Sequence, residues 1–177
     1  MRKTLFFLML ILVSALLMSC ADKEQEADEI ITYYNEEWIP INNFKEDNIG
    51  EFTTEFIRLD AQEDKSEAIQ LLESEIIPLV EEVITKLENV EPKNKKIKKM
   101  NNLQIETEQL ALENFKDIIK YYDGDMTESK IAKGSEKVDS MYDDIIEYQN
   151  KIFKEYNLKK SDEKIGNFSK IEKDEKN

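Results

Sequence analysis

The 177-residue chain has no histidine, one cysteine, four glycines and three prolines. Each shortage excludes something. Without histidine there is no Ser-His-Asp or Cys-His catalysis, and the usual zinc and non-haem iron ligand sets cannot be assembled. A di-iron bundle built on Glu-x-x-His pairs is excluded for the same reason. One cysteine permits no disulfide framework. So little glycine and proline argues against a turn-rich β fold. Neither GxxxxGK[ST] nor GxGxxG occurs, so there is no glycine-rich phosphate loop. The one long apolar run, Leu5 to Met18, falls short of the ~20 residues a membrane-crossing helix needs.

What the chain has in plenty is acid: 39 Asp and Glu against 25 Lys and Arg, a net charge of −14. Such a surface is repelled by nucleic acid and by anionic lipid headgroups, and no nucleic-acid partner is expected. Among common chemistries a carboxylate pair of the glycosidase kind stays open. With this many acids some pairs arise by chance, and solvated helix faces account for them. "DGDMTESKIAKG" (123–134) has calcium-loop acids at Asp123 and Asp125. It lacks the glycine required at its sixth position, which is Glu128, and the closing glutamate, where Gly134 stands. No catalytic residue, metal ligand or cofactor is assigned.

The apolar residues fall at helical spacing. Ile30, Tyr34, Trp38, Ile41, Phe44, Phe52, Phe56 and Leu59 predict a first helix over about 23–61, with a weak point at 48–50. Asp64 with Glu67 forms a capping box. After it, Ile69, Leu72, Ile76, Leu79, Val83, Leu87 and Val90 follow the seam of a bundle. Pro92 ends that stretch. Ile97, Met100, Leu103, Thr107, Leu110, Phe115, Ile118 and Tyr122 carry a third helix, closed by Gly124 as a left-handed C′ residue. Asp125 and Glu128 cap a fourth, with Ile131, Val138, Met141, Ile145, Tyr148 and Ile152. Gly134 lies on that stripe, where a small residue admits a neighbour. Beyond Asn157 the pattern fails, and 157–177 reads as a disordered charged tail. The expected fold is all-α: an up-and-down antiparallel bundle of about four long helices over 30–156.

Two local features call for a reading. Pro40 in "EEWIPIN" and Pro78 in "SEIIPLV" interrupt apolar helical patterns, and each should kink its helix. If the first two helices turn near 60–63, the kinks lie at one height. They could then open a cleft lined by Trp38, Ile41, Ile76 and Ile77, although bends absorbed in a packed core explain the same residues. "KNKKIKK" holds Lys93, Lys95, Lys96, Lys98 and Lys99, directly after a stretch (22–91) with 21 acids and five bases. It is a candidate patch for an anionic partner such as wall polymer or phospholipid. The plainer account is an exposed first turn that balances the acidic hairpin beside it.

The first twenty residues add an address. Met1-Arg2-Lys3 is a positive start, the run from Leu5 to Met18 an apolar core, and Ser19 a small residue before Cys20, the marks of a secretory signal. Leu17-Met18-Ser19-Cys20 resembles the lipobox of bacterial lipoproteins. The resemblance covers the signal alone. It implies cleavage between Ser19 and Cys20, removal of 1–19, and diacylglycerol with acyl lipid on the Cys20 sulfur. Residues 20–29 then serve as a tether at the extracytoplasmic face of the cell membrane. Lipid anchorage also explains a lone cysteine, since two acyl chains hold stably where one holds weakly. The composition, rich in Glu, Lys, Leu, Ile and Asn, is similar to that of low-GC Gram-positive proteins. Together these features predict a non-enzymatic interaction or scaffold module in the membrane–wall space, partnered by another envelope protein or a wall component. The alternative is a binding protein for a small apolar or peptide ligand near Pro40 and Pro78. A carboxylate-based wall hydrolase stands third.

Overall fold

A computed structural model of the chain describes residues 22–174. The expected signal peptide, its expected cleavage site and Cys20 lie outside these residues. Among the described residues the fold is a bundle of four helices followed by a small two-stranded sheet. Helix α1 runs without a break from residue 22 through a π-helical turn, Tyr34–Trp38, into Ile39–Ala61. Helix α2 repeats that plan: Lys65–Leu71, a π turn at Leu72–Ile76, then Ile77–Glu88. Helices α3 (Lys95–Tyr122) and α4 (Glu128–Glu155) are regular.

The links follow from local chemistry. After α1, Asp64 N–H donates to Leu59 O and Glu63 N–H to Asp60 O, a Schellman arrangement with Glu63 in the left-handed region at φ 59°. The Asp64 side chain then accepts from Glu67 N–H and starts α2, as its capping box predicts. Asn94 caps α3, accepting from the Lys96 and Ile97 amides. Helix α3 ends in a second Schellman motif around Gly124 (φ 87°), with Asp125 N–H on Lys120 O at 2.8 Å. The acids of the calcium-like segment therefore belong to a helix terminus. The cap of α4 is Thr127 and not Asp125.

The predicted weak point at 48–50 is ordinary helix, and Gly50 sits there in open space. Both prolines are accommodated by the same device. Proline lacks an N–H, and its ring collides with the carbonyl four residues earlier. In each helix a π turn ends two residues before the proline. Ile39 N–H reaches back to Tyr34 O, and Ile77 N–H to Leu72 O. The widened turn makes room for the ring, and neither helix is broken. Pro40 and Pro78 themselves face solvent.

Residues 157–174 are not a disordered tail, and the expectation is corrected. Strands β1 (Leu158–Ile165) and β2 (Phe168–Lys173) pair antiparallel, with a register irregularity between Lys160 and Lys164. A two-residue turn joins them, with Gly166 at φ 59° in the first central position, which favours glycine. The apolar residues Ile165, Phe168 and Ile171 of this segment pack on the first of two core clusters. That cluster joins the N-terminal half of α1 (Ile30, Tyr34, Trp38, Ile39) to Met100, Ile152, Phe153, Leu158 and Ile171. The second joins Ile41 and Ile49 of α1 to Leu72, Ile76, Val80, Val83 and Leu87 of α2.

Candidate functional site

Two asparagines on α1 dock the hairpin. The Asn35 carboxamide takes both main-chain groups of Ile171: Nδ2 donates to Ile171 O at 2.9 Å, and Oδ1 accepts from Ile171 N–H at 2.8 Å. Eight residues on, Asn43 Nδ2 donates to Ile165 O at 2.7 Å and Oδ1 accepts from Asn167 N–H at 2.8 Å. Asn35 thus occupies the free edge of β2 as a neighbouring strand would, which blunts an edge otherwise open to pairing.

So held, the hairpin closes one side of a cavity of about 580 Å³ between α1, α3 and α4. Its walls are Tyr34, Trp38, Asn42, Lys45 and Glu46 of α1, Gln104 of α3, and Tyr142, Ile145, Ile146, Gln149 and Asn150 of α4. Lys160, Phe168 and Ser169 complete it from the hairpin. Trp38 stacks on Tyr34 with ring centroids 4.4 Å apart and 15° between planes, and meets Phe168 edge-on at 5.3 Å and 82°. Gln149 Nε2 donates to the Tyr34 hydroxyl. Ile146 is 53% exposed, an unusual exposure for a large aliphatic residue in this chain.

At the cavity lies an ion pair between the half-buried Lys45 and the buried Glu108. Lys45 Nζ donates to Glu108 Oε1 at 2.6 Å and to the Tyr142 hydroxyl at 2.5 Å, and the Tyr142 hydroxyl donates to the same carboxylate oxygen at 3.1 Å. Glu108 is 3% exposed. Burial works against the Lys45 charge, but the Glu108 carboxylate and the two hydrogen bonds outweigh it and raise the ammonium pKa. Burial, followed by the charge of Glu108, pushes the Tyr142 phenol up. Burial likewise holds Tyr34 well above its ordinary value, against the opposing hydrogen bond from Gln149.

Two buried side-chain atoms among the described residues have no hydrogen-bond partner: Trp38 Nε1, a donor, and Gln104 Oε1, an acceptor. Both residues line this cavity. An orphaned buried polar atom is costly and calls for a partner. A larger groove of about 670 Å³, between the first turns of α1 and residues 90–97, has a rim of Glu24, Asp28, Glu29, Glu37 and Glu91. Neither orphaned atom belongs to it, so the chemistry concentrates in the smaller cavity.

The residues singled out from sequence are dispersed. Trp38 lies in the first core cluster, whereas Ile41 and Ile76 are buried in the second. Ile77 is partly buried, and Pro40 and Pro78 are on the outside. The cleft expected between the kinks is therefore not formed by these six residues. Of them Trp38 lines the cavity described above, whose other walls come from α3, α4 and the hairpin. The lysines of 93–99 meet different neighbours. Lys96 pairs with Glu155, bonds the Tyr156 hydroxyl at 2.9 Å and covers the Tyr156 ring, while Lys99 lies over the Tyr148 ring at 4.6 Å. Lys93 and Lys98 line a separate groove with Glu88 and Glu91, and Lys95 is exposed.

Gln104, Lys45, Glu108, Tyr142, Asn35 and Asn43 were not singled out by the sequence reading. A polar residue at a core register was the available signal for Gln104 and Glu108, both on α3. No group of three or more Cys, Asp or Glu side chains among the described residues is placed to hold a metal ion. No helix there is long and apolar enough to cross a membrane. Comparison with protein families, with curated proteins and with solved structures returns no match.

Proposed function

We propose that this chain is a lipid-anchored, extracytoplasmic binding module that holds a small ligand in the cavity between α1, α3, α4 and the hairpin. The observation that carries the reading is the pair of orphaned atoms, Trp38 Nε1 and Gln104 Oε1, on two residues that line one cavity. Most buried polar groups are satisfied within the protein, by water or by a ligand. A mixed wall of aromatic, aliphatic and a few polar groups is the usual character of a ligand pocket. Binding of this kind needs no covalent chemistry, in keeping with a chain read as non-enzymatic. The anchor rests on Leu17-Met18-Ser19-Cys20.

Extraction of the protein purified from its own cells, followed by mass spectrometry, tests the binding reading. A stoichiometric small molecule, lost in a Gln104→Met chain, is expected. Its absence, together with a melting temperature indifferent to a broad metabolite panel, would sink the reading. The anchor is tested separately. A Cys20→Ser chain should leave the membrane fraction or accumulate as precursor; mature protein still on membranes would refute lipidation.

A scaffolding role is favoured by one observation. Ile57 is 62% exposed on α1, next in sequence to the partly buried Phe56. An Ile57→Asp chain that loses partners in cross-linked cells would support it.

A further inference from the structure

The cavity wall is specific enough to name a class of ligand, an inference that rests on the binding reading above. The unpartnered groups are one N–H and one C=O, and neither titrates. Trp38 is 9% exposed and Gln104 4% exposed, so neither group is satisfied by bulk water. Charge at the site is already balanced. Lys45 is held by Glu108 and Tyr142, and Lys160 and Glu46 are the other charged residues in the wall. An anionic ligand drawing Lys45 away would strand the Glu108 carboxylate, a costly exchange at a buried position. A cationic ligand would compete with Lys45 for the same carboxylate. Trp38 is already stacked face-on to Tyr34 and edge-on to Phe168, so its N–H is the group it has to offer. That disfavours a sugar ring lying on the indole. Ile145 and the exposed Ile146 supply the apolar part of the wall.

We infer that the cavity binds an uncharged amide. Its carbonyl accepts from Trp38 Nε1, its N–H donates to Gln104 Oε1, and an aliphatic substituent covers Ile146. A capped amino acid and the backbone of a short peptide share this chemistry. Both orphaned atoms are covered in the present arrangement, so the ligand must shift a wall to reach them. The wall able to give is the hairpin, fastened to α1 through the carboxamides of Asn35, which holds β2, and Asn43, which holds the end of β1 and the turn.

Trp38 is the chain's one tryptophan, so its fluorescence reports the site directly. The full chain is titrated with N-acetyl-leucinamide, with a capped tetrapeptide, and with the two charged counterparts leucinamide and N-acetyl-leucine. Emission and melting temperature are followed together. Expected is a saturable response to one or both neutral amides, at least about tenfold weaker for each charged analogue. Gln104→Met should lose about tenfold in affinity for the amide while remaining folded, the worth of one hydrogen bond. The two neutral probes distinguish a free capped amino acid from a peptide. Equal or tighter binding of a charged analogue, or undiminished affinity in Gln104→Met, overturns the amide and leaves the cavity as a binding site. No response to any probe while a small molecule co-purifies also overturns the amide alone. No response and no co-purified molecule overturns both.

Discussion

Replacing Gln104 by methionine isolates the feature on which the functional reading turns. Gln104 is 4% exposed, and its Oε1 has no hydrogen-bond partner. An unsatisfied buried polar group costs about 1–3 kcal/mol. Methionine keeps the unbranched shape and near-equal volume, so packing should be preserved while that cost disappears. The Gln104→Met chain should therefore be more stable by about 1–3 kcal/mol. For a domain of this size 1 kcal/mol moves the melting temperature by about 2–4 °C. A rise of roughly 2–12 °C is thus the expected outcome, read by calorimetry or far-UV circular dichroism. Emission from Trp38 should barely change in the free protein, because the indole N–H loses no partner. A fall of the same size, with a shift in Trp38 emission, would mean that Gln104 Oε1 accepts a hydrogen bond from Trp38 in solution. The orphaned pair would then be satisfied internally, and the argument for a ligand would lose its foundation.

Asn43→Ala removes two bonds to the hairpin turn and should weaken local protection by about 1–3 kcal/mol, seen as faster amide exchange at Asn167 and Ile171. Gly166→Ala should do more. A Cβ there comes within 2.6 Å of Cγ and 2.7 Å of Nδ2 of Asn43, at a φ of 59°, so it strains the turn and evicts the clamp. By contrast Gly50→Ala, in an open helical position, should stabilise the chain by about 0.5–1 kcal/mol in a urea melt. Glu108→Gln leaves Lys45 without its counter-charge. Because Lys45 can still turn part of itself to water, the loss should be about 2–3 kcal/mol in the same assay. Alkaline stability follows from groups that hold their protons more tightly in the folded state. Tyr34 and Tyr142 are raised chiefly by burial, and Lys45 is raised by Glu108 and Tyr142 in spite of burial. The unfolded chain releases these protons first, so stability is intact below about pH 10 and falls as the pH climbs beyond it. A Tyr34→Phe chain should show a shallower alkaline decline; an unchanged one would contradict this account.

The sequence by itself determined the helices and most of their ends. Helix-period stripes placed α1 and α2, and the Asp64–Glu67 box and Gly124 marked termini that the structure keeps. These are local effects: a cap or a left-handed glycine acts within one turn of its own backbone. The proline sites were visible too, but their consequence was not. A π turn adds a residue to the turn, which rotates the following side chains by about 100° relative to an unbroken helix. Trp38 and Ile41 belong to different cores although their spacing suits one stripe. Tertiary structure alone decided the hairpin. Residues 158–173 carry too few apolar side chains to form strands unaided, and they order because Ile171 and Phe168 find a core, and Asn35 and Asn43 a main chain, 122–136 residues away. The site was decided in the same way. Trp38, Gln104, Lys45 and Glu108 come from helices separated in the chain, and no local pattern encodes an unpartnered donor and an unpartnered acceptor on residues that line one cavity only when the helices and hairpin have closed around it.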